Sequence, residues 1–167
     1  MPNKHTFSIF SIAKFIEPYR AMASVSIDPY ANTSRLATIT NDIDPSMNCD
    51  RCMDALEFLR SFESGSVDLV YFDPPYSLRQ VSECYKSLRL TVNMQTTRAS
   101  FWRNSANEVA RVLKRGGICL SFGWNSNGVG KVNGFEIIEI LLVAHGGAHN
   151  DTICIAERKI LPPTLFP

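Results

Sequence analysis

No apolar run in this chain is long enough to cross a membrane, which excludes a spanning helix. The first twenty residues also lack the apolar stretch and small-residue cleavage site of a secretory signal, because Lys14 and Glu17 interrupt them. A disulfide framework is missing too. The five cysteines are odd in number and scattered, at Cys49, Cys52, Cys84, Cys119 and Cys154, as in a protein kept reduced. The expected location is therefore the cytoplasm. Cys49-Asp50-Arg51-Cys52 is a lone C-x-x-C. Zinc needs a second ligand pair, and none follows at suitable spacing. His145 and His149 stand four apart with glycines between them. No metal is expected. No internal repeat is present, which excludes a solenoid or propeller.

What is present is an ordinary globular composition, 45% apolar over 167 residues. That length predicts one domain, placed at residues 1–160, with a loose proline-rich tail at 161–167. The net charge of +1 says nothing about nucleic acid, but its distribution does. Residues 79–115 hold eight basic residues against two acids, and the rest of the chain holds nine against fourteen. Arg79, Lys86, Arg89, Arg98 and Arg103 are candidates to grip a polyphosphate substrate. An ordinary solvated helix face is the plainer reading of the same charges.

Hydrophobic spacing predicts a helix over 7–19, ended by Pro18. Short strands follow at 25–27 and 36–40, stopped by Asp28-Pro29-Tyr30 and by Asn41-Asp42-Ile43-Asp44-Pro45. A short amphipathic helix over 54–62 has Asp54 as its N-cap. A helix over 98–115 ends at Gly116-Gly117, and a strand follows over 118–124. Residues 125–134 read as loop. Two strands, 135–144 and 151–157, read as an antiparallel pair. Strands alternating with helices and closed by a hairpin predict an α/β sandwich with a mostly parallel sheet. In such sheets ligands bind at the carboxyl ends of strands. Asp28, Asp42 and Asp73 end three candidate strands and should face one crevice.

The most informative segment is 67–76, Val-Asp-Leu-Val-Tyr-Phe-Asp-Pro-Pro-Tyr. A β-prone apolar run ends abruptly in Asp73-Pro74-Pro75-Tyr76. Two prolines stiffen the turn, and each pushes the residue before it into extended geometry. Tyr76 offers an aromatic face. This segment resembles the catalytic motif of S-adenosylmethionine-dependent methyltransferases acting on exocyclic amines. The chain is similar to small adenine-methyltransferase-like proteins of phages and mobile elements. The resemblance implies a Rossmann-like methyltransferase sandwich, with S-adenosylmethionine as cofactor and adenine N6 of DNA as target. An exocyclic amine is a poor nucleophile because its lone pair is delocalised into the ring. Asp73 and the Pro74 carbonyl would each accept an amine hydrogen, freeing that lone pair. Tyr76 would stack an unstacked base.

The resemblance also implies a cofactor site. Asp28-Pro29-Tyr30 resembles the first cofactor motif. Asp42 aligns with the acid that holds the ribose hydroxyls, and Asp54 with the acid that meets the adenine amine. Ser8 and Ile9 resemble the segment that wraps the cofactor from the N-terminal side. The glycines that follow the first strand in that family are absent: the chain reads Ala31-Asn32-Thr33-Ser34-Arg35. Too few residues separate the first two strands for a crossover helix, so the N-terminal helix is expected to replace it. Target reading falls to residues 77–98, to the 125–134 loop, or to a second subunit or homodimer partner. Alternatives are an RNA base amine (guanine N2 or adenine N6) and a catalytically silent nucleic-acid-binding subunit.

Overall fold

The computed structural model describes residues 6–75, 77–88, 100–146 and 150–160. The six strands are β1 (Ser26–Asp28), β2 (Ile39–Thr40), β3 (Val67–Phe72), β4 (Leu113–Gly123), β5 (Phe135–Val143) and β6 (Thr152–Lys159). They form one sheet in the order β2-β1-β3-β4-β6-β5. The first four are parallel, and β6 joins β4 and β5 antiparallel. The expected α/β class and terminal hairpin are both found. This is a Rossmann-like α/β architecture, a mostly parallel sheet closed by an antiparallel hairpin.

Alternation along the strands splits the core in two. Ile27, Val70, Phe72 and Cys119 face one side, where they meet α2 (Ala55–Arg60) and α4 (Ser100–Val112). Leu69, Tyr71, Leu120 and Phe122 face the other, where Ile12, Phe15 and Ile16 of α1 (Phe10–Met22) cover them. No helix connects β1 to β2. The N-terminal helix α1 covers that face instead, as expected.

The structure moves several element boundaries and adds a helix. Pro18 does not end α1, which runs on to Met22. Pro18 and Lys14 both lie on the exposed face, so the carbonyl that the missing N–H releases can turn to water. The helix expected to reach Gly116-Gly117 stops at Val112, and β4 begins at once. Between Val67↔Leu113 and Leu69↔Ile118 the register slips, so residues 114–116 loop out, with Gly116 at φ 82°. Residues 78–87, read only as part of a recognition segment, form α3 (Leu78–Ser87).

The 125–134 segment is a loop, but it is pinned to the sheet. The buried Glu157 carboxylate on β6 accepts N–H bonds from Val129 (2.7 Å) and Gly130 (2.9 Å). Val129 is buried in the core beneath α4. The segment is thus anchored at Val129 and Gly130, while Asn125–Asn127, Lys131 and Val132 stay exposed. Tyr76, Arg89, Arg98, His149 and the expected tail at 161–167 lie outside the described residues.

Gly128 tests the Glu157 clamp. It sits at φ 56°, and an added Cβ would come within 2.2 Å of Glu157 Oε2. Gly146, at φ 62°, has nothing within 4 Å. Gly146→Ala should cost about 1 kcal/mol in urea denaturation, the penalty of a left-handed alanine. Gly128→Ala should cost about 2 kcal/mol or more, because clash adds to strain. Equal costs would mean that the clamp does not constrain the loop.

Candidate active site

The site lies at the carboxyl end of the parallel strands, where the chain leaves β1 on one side for β2 and returns to its other side as β3. Such a reversal of strand order opens a crevice. The pairing Ile27↔Val70 sets β1 beside β3, so Asp28 closes β1 close to where Asp73 follows β3. Asp28 is fully buried. Its Oδ1 accepts the Tyr30 N–H (3.0 Å), and its Oδ2 is buried with no hydrogen-bond partner. Burial pushes the Asp28 carboxyl well above the usual range, and the nearby Asp73 and Asp42 charges push it the same way. Pro29 is buried beside it. Tyr30 packs edge-on against Phe72, and its hydroxyl donates to Ser105 Oγ (3.3 Å).

The loop after β1 takes an unexpected form. Asn32 adopts φ 49°, a left-handed conformation that asparagine tolerates better than most residues. Its N–H donates to Asp42 Oδ2 (2.9 Å), while its own side-chain oxygen is buried without a partner. Asp42 also accepts the Asp44 N–H at Oδ1 (2.9 Å), and burial raises its carboxyl. Asp44, by contrast, caps a single turn at Pro45–Met47 by accepting the Ser46 N–H, and hydrogen bonds from the Ser46 hydroxyl and N–H hold its carboxyl below the usual range.

Several residues that organise this region carry no signal in the sequence. Arg35 donates to the carbonyls of Asn32, Ser34, Met47 and Asn48, stapling the loop after β1 to the loop after β2. Buried Asn41 donates through Nδ2 to the Pro29 and Met53 carbonyls and accepts the Met53 N–H. It thus ties together the three segments that carry Asp28, Asp42 and Asp54. Only the preference of Asn for such backbone-mimicking bonds could have hinted at it.

Asp54 sits where the sequence puts it, as the N-cap of α2, accepting from Leu56 and Glu57 at Oδ1. Its Oδ2 accepts the Tyr85 hydroxyl from α3 (2.9 Å). Burial and the Asp54 charge raise the Tyr85 phenol. Helix α3 therefore leans over this end of the crevice, with Cys84 close enough to Asp42 and Asp44 to feel their charge. Ser8 is exposed in the turn Thr6–Ser8, and Ile9 packs against the core cluster under α1. The neighbouring Phe7 ring contacts Tyr71 and Phe122.

The turn after β3 is braced from α4. The Trp102 indole N–H donates to the Pro75 carbonyl (2.9 Å). Asp73 is half-buried and Pro74 buried. The basic segment splits in two. Arg79, Lys86 and Arg103 are exposed on α3 and α4, Arg79 pairing with Glu83 (2.7 Å). Arg111 instead caps α2 by donating to the Leu59 and Phe62 carbonyls, and Lys114 pairs with Asp68 at the opposite end of the sheet. Those two are structural.

No family model and no curated protein matches the sequence. Solved structures do match in fold. TrmN from Thermus thermophilus superposes with a TM-score of 0.60 at 15% identity, covering 89% of this chain and 48% of its own. The chain thus spans about half the length of that protein. The [4+2]-cyclase SpnF gives 0.58 at 13% identity, with 90% of this chain and 81% of that one covered. N-methyltransferase NodS from Bradyrhizobium japonicum WM9, solved with S-adenosyl-L-homocysteine, gives 0.56 at 9% identity, with 88% and 84% covered. The shared feature is the fold. A cyclase among these structures means that the fold by itself does not specify methyl transfer, so the chemistry must be argued from the site.

Asp28 makes stability depend on pH. Its folded pKa lies above the unfolded value, so the folded state holds the proton more tightly. Its contribution is fully present below the unfolded pKa and is lost as pH rises through the folded one. Wild-type stability should therefore fall as pH rises from about 4. Asp28→Asn should flatten that fall, leaving the smaller part due to Asp42 and Glu157, whose carboxyls burial also raises. An unchanged slope in denaturation across pH would show that Asp28 is not held neutral.

Proposed function

We propose that this protein transfers a methyl group from S-adenosylmethionine to the exocyclic amine of a nucleobase, adenine N6 of DNA in the first instance. One observation carries this reading: Asp73-Pro74-Pro75 leaves the carboxyl end of β3 at the point where strand order reverses, beside the buried acid of β1.

The crevice suits that cofactor. Asp28 Oδ2 and Asn32 Oδ1 are buried without partners, and a cationic amino-acid moiety would give Asn32 a donor and favour the ionised form of Asp28. Asp42, half-buried at the end of β2, suits a pair of ribose hydroxyls. Asp54 can receive an adenine amine once Tyr85 yields its Oδ2. Pro29, Tyr30, Ser8 and Ile9 would line the same region. When bound, the cofactor supplies an electrophilic methyl on a sulfonium.

The chain's own contribution is positioning. The Asp73 carboxylate and the Pro74 carbonyl accept the two amine hydrogens and draw the nitrogen toward tetrahedral geometry. Trp102 engages the Pro75 carbonyl, so the acceptor proposed for the amine is that of Pro74. The bracing also stiffens a turn already limited by two prolines. Tyr76 is proposed to stack the base, and Arg79, Lys86, Arg89, Arg98 and Arg103 to hold its backbone phosphates. An RNA base amine presents the same chemistry to Asp73. Labelled cofactor incubated with DNA in one arm and RNA in the other separates the two. Binding of cofactor without transfer to either would return the chain to a silent subunit.

Asp73→Ala should abolish transfer while cofactor binding stays within about twofold of wild type, because Asp73 meets the amine and not the nucleoside. Residual activity within tenfold of wild type would remove Asp73 from this role.

Asp42→Ala should weaken cofactor binding by on the order of 1.5–3 kcal/mol in calorimetry, the worth of a charge-assisted bond to a hydroxyl. Asp44→Ala should leave it nearly unchanged, since Asp44 caps the next turn and points its carboxylate at Ser46. The reverse ranking would mean that Asp44 is the ribose-holding acid.

A further inference from the structure

Three acids gather where strand order reverses, and among the described residues no cation is bonded to the most deeply buried of them. Asp28 closes β1 and is fully buried. Asp73 follows β3 and Asp42 follows β2, and the charges of both act on Asp28. The other ionisable groups within electrostatic reach of it are Arg35, Cys49, Tyr30 and Tyr71. Arg35 is the one cation of that set. Its guanidinium is taken up by the carbonyls of Asn32, Ser34, Met47 and Asn48. Burial holds the two phenols above their ordinary range, so they stay neutral.

The hydrogen bonding of Asp28 says where a proton would sit. Oδ1 accepts the Tyr30 N–H. Oδ2 is buried with no partner. A carboxylate there would leave a full charge desolvated beside two like charges, whereas a carboxyl protonated at Oδ2 carries none. An incoming positive charge reverses that preference. Asn32 Oδ1, four residues on, is a second buried acceptor without a partner, and a ligand ammonium suits it as well.

We propose that S-adenosylmethionine enters this site in exchange for a proton: Asp28 is a neutral acid in the free protein and becomes a carboxylate when the cationic cofactor arrives. The Oδ2–H bond breaks, its electron pair stays on the carboxylate, and the proton passes to the buffer. The linkage has a definite sign. Binding releases a proton, so cofactor affinity rises with pH. The rise is up to about tenfold per pH unit between the pKa of Asp28 in the complex and that in the free protein. The inference rests on the proposed cofactor and adds a pH-dependent control of its loading.

Calorimetry of S-adenosylmethionine binding in buffers of different ionisation enthalpy counts the protons and needs no turnover. From about pH 5 to 7 the ligand's own α-amino group stays mostly protonated, because such groups titrate at about 8. Wild type should release a proton in that range, approaching about one per cofactor at the most responsive pH. Asp28→Asn keeps the shape of the neutral acid. It should release almost none, and its affinity should be flat with pH and within about threefold of the wild-type value at the acid end. Asp42→Asn should keep most of the release, which separates Asp28 from its neighbour. Infrared difference spectra of wild type should show the carbonyl band of a protonated carboxylic acid lost on cofactor binding, a readout that stands even if Asp28→Asn fails to fold. No release by wild type across the range, release unchanged in Asp28→Asn, or a carbonyl band that binding leaves in place would overturn the inference and leave the cofactor reading intact. Proton release without methyl transfer to DNA or RNA would keep the linkage and remove the transfer reading. If S-adenosylmethionine does not bind wild type, both fall.

Discussion

The site depends on two short parallel strands ending together. β1 has only three residues and β3 six, yet their pairing fixes where Asp28 and Asp73 emerge. A slip of one residue would turn every side chain on β1 to the opposite face, moving Asp28 from the α1 side to the side of α2 and α4. Ile27 prevents that slip, because it is fully buried against Val70 and Phe58 in the core cluster. Asp68 locks the other end of the pair by accepting N–H bonds from Ser24 and Val25 while it pairs with Lys114. Hydrophobic packing therefore sets the register, and the register delivers the acids.

The connection from β1 to β2 is built without the usual elements. It has no crossover helix and no glycine-rich turn. A left-handed Asn32, a guanidinium bonded to four carbonyls and the buried amide of Asn41 do that work instead. Each polar backbone group that a helix would have satisfied within itself must find a side chain here. The result concentrates polar groups next to the crevice. Among the described residues, the buried side-chain atoms without a partner are Asp28 Oδ2 and Asn32 Oδ1, beside the crevice, and the Tyr71 hydroxyl. Buried acceptors without donors are destabilising unless a ligand or water completes them, and their place at the strand ends ties that cost to binding.

The opposite half of the sheet is devoted to support. β6 runs between β4 and β5, and buried Glu157 holds the 125–134 segment at Val129 and Gly130. Burial raises the Glu157 carboxyl even though two N–H groups lower it. Lys159, two residues on, turns its ammonium to the Leu113 carbonyl and so anchors the start of β4. Rigid support of this kind keeps the carboxyl edge of β4 fixed beside the Asp73 turn.

The sequence by itself determined the elements whose cause is local. Asp73-Pro74-Pro75 could only be a stiff turn after an apolar strand, Asp54 could be read as a cap, and two long β-branched runs around glycines made a hairpin. Pattern also placed Asp28 and Asp42 at strand ends. Only the tertiary structure decided matters that join distant residues. Pro18 lies inside α1 because its face is exposed, a fact set by packing. The end of α4 was fixed by the pairing of Leu113 with Val67, not by Gly116-Gly117. Arg35, Asn41, Trp102, Tyr85 and Glu157 take their roles from partners 12 to 31 positions away or across the sheet. No window of sequence contains both members of such a pair, so periodicity and propensity cannot reveal them.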